Sequence, residues 1–248
     1  MSAARDGVAV LLLHGLTSTP ADVAPLTDGL ARAGYSVRVP LLPGRGTSAA
    51  DLERLCWEDW MSAALSEYDD LARTYRAVVV GGLSAGATMA LDVGLRRKPS
   101  ALLLYATALA LTNRFAFMAP YVWRVVRRWP SAPSDRIDTT LAAPAYDPLP
   151  LRAVGELVRA IRRVRRHLRE ITAPALVAHA VTDRVVPVAC ANALARSLGG
   201  PVTTLFVEGS GHSITVDARR DLVVDATVDF LARTLRRPEV AVAHAREN

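Results

Sequence analysis

The sequence predicts an α/β fold: a mostly parallel sheet of about six to seven strands flanked by helices, interrupted by a small helical insertion. Three observations carry that expectation. Short runs of β-branched and aliphatic residues recur along the chain, each bounded by Gly, Pro or a polar turn. Helical patterns fill the intervals between them. The 248 residues, 51% of them hydrophobic, are enough for one sizeable core. Strands alternating with helices imply right-handed crossovers, and they put any ligand at the C-terminal ends of the strands.

Taken in order, Val8–Leu13 is the first strand and stops at His14-Gly15. Asp22–Ala33 reads as a helix closed by Gly34, at the position that tolerates positive φ. Tyr35–Val39 is short and alternating, and it fills a gap where a strand is needed. Trp57–Thr74 is a helix, and Ala77–Val80 a strand leading through two glycines into the helix Ala85–Lys98. Ala101–Tyr105 is again a continuous apolar strand. Residues 112–169 break the rhythm, being rich first in aromatics and prolines and then strongly helical from Arg152, so they read as a cap over the site. Ala175–Ala180, the helix Val188–Leu198 closed by Gly199, the strand Thr203–Val207 and the helix Asp221–Arg236 complete one domain spanning 1–248.

Lys and Arg number 30 against 24 Asp and Glu, a net charge of +6, with a pI near 9.9. Lys98 is the only lysine, so the excess is arginine spread along the chain, a compositional bias that implies no nucleic-acid partner. Cys56 and Cys190 have no C-x-x-C spacing and are expected as reduced, buried thiols in helices. The run Ala101–Leu111 is broken by Thr112, Asn113 and Arg114, too soon for a membrane span. Val8–Leu13 is too short for a signal segment, which points to a cytoplasmic location. No His/Cys cluster has metal-ligand spacing and no dinucleotide fingerprint appears, so neither a metal nor an organic cofactor is expected. Oligomeric state is not legible.

The strand Val78–Val80 runs into Gly82-Leu83-Ser84-Ala85-Gly86, and a helix follows at once. This strand–G-x-S-x-G–helix arrangement is the nucleophile elbow of the α/β-hydrolase fold, which exposes the serine above the sheet. Ser84 is the expected nucleophile, and the Ala85 N–H at the helix start is a donor for a developing oxyanion. A serine hydroxyl needs a base, and the chain order in this fold is Ser, acid, His. Only His212 and His244 come late enough; His212, in a Gly-rich loop past the last strand, is the expected base. Asp183, on the loop after Ala175–Ala180, is the expected acid that orients it. Asp217, Asp221 and Asp225 come after His212, while Glu208 shares its loop. His14, His167 and His179 are expected to be structural. The N–H of Leu16, after His14-Gly15, is the second expected oxyanion donor.

These residues, with Leu11–Thr17, Leu42–Thr47, Trp57–Trp60, Ala145-Tyr146, Pro174–Leu176, Asp183–Pro187 and Gly211-His212, resemble the bacterial carboxylesterase and monoacylglycerol lipase family from Val8 to Leu235. The resemblance implies a serine hydrolase with Ser84, Asp183 and His212 as its triad and Leu16 and Ala85 as oxyanion donors. It further implies an acyl-enzyme route on short- to medium-chain monoesters, monoacylglycerols included. Two departures stand out: Arg45 lies where the family often has histidine, and Ala85-Gly86-Ala87 replaces a longer residue followed by two glycines. The same triad could instead serve a thioester, an amide or a carbon–carbon bond beside a ketone, or the shell could be a ligand-binding module. In the cap, Phe115, Phe117, Met118, Tyr121, Trp123 and Trp129 either line an acyl pocket or pack the cap onto the core. Arg159, Arg162, Arg163 and Arg166 are expected on a solvated face of the helix that follows.

Overall fold

A computed structural model of the chain describes residues 7–131, 133–141 and 145–235. His244, the alternative base, and Arg236, the expected end of the last helix, lie outside them. Strands β1 (Val8–Leu13), β3 (Ala77–Leu83), β4 (Ala101–Tyr105) and β7 (Ala175–Ala180) are buried at every residue. Continuous apolar runs demand this, because helices must then cover both faces. β2 (Ser36–Arg38) and β8 (Val202–Val207) are partly exposed edges. Among the described residues the sheet has six strands in the order β2-β1-β3-β4-β7-β8, all parallel.

Alternate residues of each strand feed opposite cores. Val8, Val10 and Leu12 pack with Leu26 and Leu30 of α1 (Ala24–Arg32) and with Val224, Phe230 and Leu231 of α8 (Arg220–Thr234). Ala9, Leu11 and Leu13 meet Trp60 and Met61 of α3 (Trp57–Thr74), Met89 of α4 (Ala85–Arg96), Ile161 of α6 (Leu151–His167) and Leu194 of α7 (Ala189–Ser197). Each fully buried Leu in these layers contributes about 1.5–3 kcal/mol.

Several expected boundaries move, and each has a local cause. The helix expected from Asp22 begins as a 3-10 turn, Pro20–Val23, and the α-helix starts only at Ala24. Pro25 has no N–H to donate back to that turn, so a continuous helix would lose a bond there. The helix expected to reach Lys98 stops at Arg96, with Arg97 extended, because the residue before Pro99 avoids the helical region. An unexpected helix, α2 (Ala49–Arg54), is capped by Ser48, whose hydroxyl accepts the Asp51 N–H at 3.1 Å. Cys190 is buried in α7, but Cys56 precedes α3 and is only half-buried.

After β4 the chain forms a 3-10 turn at Arg114–Met118, the short α5 (Ala119–Val122), a two-residue pairing of β5 (Arg128–Trp129) with β6 (Leu149–Pro150), and then α6. One face of α6 enters the main core through Ala153, Leu157, Ala160, Ile161 and Val164. Its arginines are not simply solvated. Arg159 and Arg162 donate to the Pro120 and Phe117 carbonyls, which ties the cap to the helix, and Arg163 reaches Asp92 and Glu58 on the body of the domain.

Candidate active site

The order of strands reverses at β1, where β2 lies on one side and β3 on the other, so the ends of β1 and β3 form the crevice where such sheets hold ligands. Register sets Leu13 opposite Gly82. The loop holding Leu16 therefore leaves the sheet beside the turn holding Ser84. The fit between them is close: a Cβ on Gly86 would lie 2.0 Å from the Leu13 carbonyl oxygen, and one on Gly82 would lie 2.4 Å from it. Only glycine lets helix α4 fold back against β1.

Ser84 has φ 57°, ψ −114°, a left-handed conformation for a residue with a side chain. Its backbone is held there by its N–H on the Tyr105 carbonyl at 2.9 Å and by the Thr88 N–H on its own carbonyl at 3.1 Å. Between Ala77 and Val93, Ser84 alone is not fully buried. Ala85 opens α4, so its N–H has no acceptor within the helix and lies at the positive end of the helix dipole.

Asp183 and His212 come from the loops after β7 and β8, which are neighbouring strands. His212 Nδ1 lies 2.7 Å from Asp183 Oδ2. The other oxygen, Oδ1, accepts the Val185 and Val186 N–H groups at 2.8 Å each. His179 adds a contact the sequence did not suggest, its Nε2 lying 3.2 Å from Asp183 Oδ2 and 3.1 Å from the Val186 carbonyl. Burial alone would push the Asp183 carboxyl up; hydrogen bonds from His179, His212 and the Val186 N–H outweigh it and hold the group well below the usual carboxylate range. Nδ1–H of His212 thus faces a fixed negative charge, which leaves Nε2 as the basic nitrogen.

The Leu16 loop is built by buried polar groups. His14 accepts the Leu42 N–H at Nε2 (3.1 Å) and faces the Gly15 carbonyl through Nδ1 (3.0 Å), the structural role expected of it. Burial lowers its pKa to about 4, so it stays neutral. Arg45, 2% exposed, donates from Nε to the Leu16 carbonyl and from Nη1 to the Pro43 carbonyl, both at 2.9 Å, and its guanidinium stacks 4.1 Å from the Trp60 ring centre. The histidine-to-arginine departure therefore reaches the site through the loop carrying Leu16. Tyr146 closes the arrangement, donating to the Gly44 carbonyl and accepting the Thr47 N–H, each at 3.0 Å. Asp22 faces the same loop, and burial pushes its carboxyl up.

The cap differs from expectation. Phe115, Phe117, Met118, Tyr121 and Trp129 are exposed to solvent. The apolar surface beside the site is aliphatic instead: Ala119, Leu151, Val154 and Val158 form a buried cluster against which Leu16, Leu111 and Trp123 pack.

Asp217 is fully buried and does not meet Asp183 or His212 through its side chain. Its carboxylate accepts the Gly211 N–H at 2.6 Å, the Ser210 hydroxyl at 3.1 Å and, from the cap, the N–H groups of Ile137 and Asp138. Asp135, in the cap, is a second carboxylate bonded to this loop, through the His212 N–H, that sequence reasoning did not single out.

A parallel sheet with a strained serine after β3 and an Asp–His pair after β7 and β8 defines a serine hydrolase of the α/β-hydrolase fold. The chain belongs to the family described as serine aminopeptidase, S33, whose profile matches residues 5–219. It is 27% identical over 227 residues to a thermostable monoacylglycerol lipase of Bacillus sp. (strain H-257), covering 91% of each chain. It is 26% identical over 230 residues to a carboxylesterase of Bacillus subtilis (strain 168), covering 91% of this chain and 92% of that one. Among solved structures, one from work on the metagenome-derived lipolytic enzymes LipS and LipT shares the fold with a TM-score of 0.87 at 23% identity, covering 92% of this chain and 94% of the other.

Proposed function

We propose that the protein hydrolyses neutral carboxylic monoesters of short to medium acyl chain, monoacylglycerols included, through an acyl-enzyme. In this reading Ser84 Oγ attacks the ester carbonyl carbon while its proton passes to His212 Nε2. The tetrahedral oxyanion is held by the N–H groups of Leu16 and Ala85. Its collapse breaks the bond to the alcohol, which leaves with the proton from His212. Water then attacks the acyl group, again giving its proton to His212, and the carboxylic acid and free Ser84 are released.

The observation that carries the proposal is the 2.7 Å Asp183–His212 pair on the loops after β7 and β8, together with a serine strained onto a helix start after β3 in the same sheet. The ester preference is supported by the relatives named monoacylglycerol lipase and carboxylesterase. The aliphatic cluster of Ala119, Leu151, Val154 and Val158 touching Leu16 supports an acyl pocket on that side. In the same reading the chain is one domain with residues 112–169 over the site, α6 serving as both cover and core. Among the described residues no helix is long and apolar enough to cross a membrane.

The test is turnover of p-nitrophenyl esters and monoacylglycerols beside acyl-CoA and diketone substrates. Ser84→Ala, His212→Ala and Asp183→Asn should each lower kcat by orders of magnitude, the last by about 10⁴-fold. A double variant should fall no further than a single one, because all three serve one proton transfer. Full activity in Ser84→Ala, or preference for acyl-CoA or diketones over every neutral ester, would overturn the proposal.

A further inference from the structure

We infer that Asp135, a cap residue, is a positioning residue that fixes the Asp183 and His212 loops relative to each other. The inference rests on the hydrolase reading above. One carboxylate spans both loops: Oδ1 accepts the backbone N–H of His212 at 2.9 Å, and Oδ2 accepts that of Arg184, next to Asp183, also at 2.9 Å. The 2.7 Å bond between His212 and Asp183 is thus one side of a closed figure whose opposite side is a single rigid carboxylate.

The cap segment is itself pinned to the base-bearing loop. Two and three residues beyond Asp135, the N–H groups of Ile137 and Asp138 donate to Asp217 Oδ1 at 2.9 and 2.7 Å, while Asp217 Oδ2 takes the Gly211 N–H. Arg136 donates to the Val216 carbonyl at 3.2 Å, and Arg220 to Asp138 at 2.5 Å. At Gly211 the approach is so close that a Cβ would lie 2.3 Å from the Asp135 carbonyl oxygen. Both hydrogen bonds to Asp135 come from backbone N–H groups, not from the Asp183 or His212 side chains. Removing the carboxylate therefore frees both loops without touching either side chain that moves the proton.

The experiment uses the full chain with Asp135→Ala, Asp135→Asn and a control, Asp147→Asn, whose carboxylate lies in the cap but accepts only the Ser131 N–H among the described contacts. Asp135→Ala should lower kcat for a p-nitrophenyl ester about 10–100-fold, the effect of a small misplacement of reacting groups, with KM changed less than about two-fold. Asparagine keeps one acceptor oxygen, so Asp135→Asn should fall between alanine and wild type, and it serves if the alanine variant does not fold. In parallel, the far-downfield proton signal of His212 Nδ1–H should shift or broaden in the Asp135 variants and stay in place in Asp147→Asn. Wild-type kcat with an unmoved signal in both Asp135 variants would overturn the inference, as would equal losses in Asp147→Asn. Undiminished turnover in Ser84→Ala would instead remove the hydrolase reading, and the proton signal would still decide whether Asp135 sets the Asp–His geometry.

Discussion

His14 is fully buried with its two ring nitrogens in opposite duties, one facing a carbonyl and one accepting the Leu42 N–H, so a second ring proton would cost it the Leu42 bond. Its pKa falls from 6.5 to about 4 on folding. The unfolded chain therefore binds this proton more readily, and stability present above pH 6.5 declines as the pH falls towards 4, by about 3 kcal/mol in all. His14→Gln keeps an acceptor and cannot titrate, so urea midpoints measured from pH 7 to 4.5 should fall less steeply in it than in the wild type. Parallel slopes would assign the acid sensitivity to other groups. At this scale the sequence is informative about residues whose chemistry demands a particular place in chain order. Ser84, Asp183 and His212 are legible because each follows a strand, and the pairing of the last two is present in the structure. Arg45, Asp135, His179 and Asp217 are not, because what matters in each is a contact that only the folded loops create, as with Leu16 for Arg45, 29 positions off, and His212 for Asp135, 77 positions off.

Helices α3, α4 and α6 meet at one buried carboxylate. Asp92, 2% exposed, accepts Trp57 Nε1 at 2.7 Å, Arg96 Nε at 3.0 Å and the Arg163 guanidinium, while Glu58 pairs with both arginines from outside. Hydrogen bonds from Arg96 and then Arg163 pull Glu58 down to about 2, so this outer layer persists until the solution is strongly acidic. Asp92→Ala would strand two guanidinium groups and an indole N–H, a loss of about 3–5 kcal/mol. Glu58→Gln, at a half-exposed position, should cost less than about 1 kcal/mol. Thermal or urea unfolding of the two variants checks the ranking, and a mild Asp92→Ala would mean that water replaces the carboxylate. None of this junction could be foreseen, since helical periodicity identifies an apolar face but not the helix opposite it. The interior strands were plain because both of their faces are buried and their apolar runs are unbroken. β2 and β8, exposed on one edge, carry mixed residues and gave only weak signals. The short α2 was readable in principle from Ser48 and Asp51, whereas the cap, built from turns and two-residue strands, has no period to read.

For the molecule as a whole, substrate reach is set by where the cap meets the body. If the aliphatic cluster at Val154 and Val158 ends the acyl pocket, kcat/KM should rise by about 0.8 kcal/mol, or roughly three- to four-fold, for each added CH₂ and then drop. Val154→Phe should move that turning point to shorter chains across a p-nitrophenyl series from acetate to palmitate. An unchanged optimum would place the acyl chain elsewhere. The strand order has a separate consequence, in the making of the protein. After β3, each later strand of the sheet is added at the same growing edge, β4 on β3, β7 on β4 and β8 on β7. A ribosome delivers the chain from its N-terminus, so every new strand emerges to find its neighbour already made. The strained serine is then in place well before the loops bearing Asp183 and His212 emerge, so in the proposed reading the nascent chain carries an unactivated hydroxyl until the segment after its last strand is released.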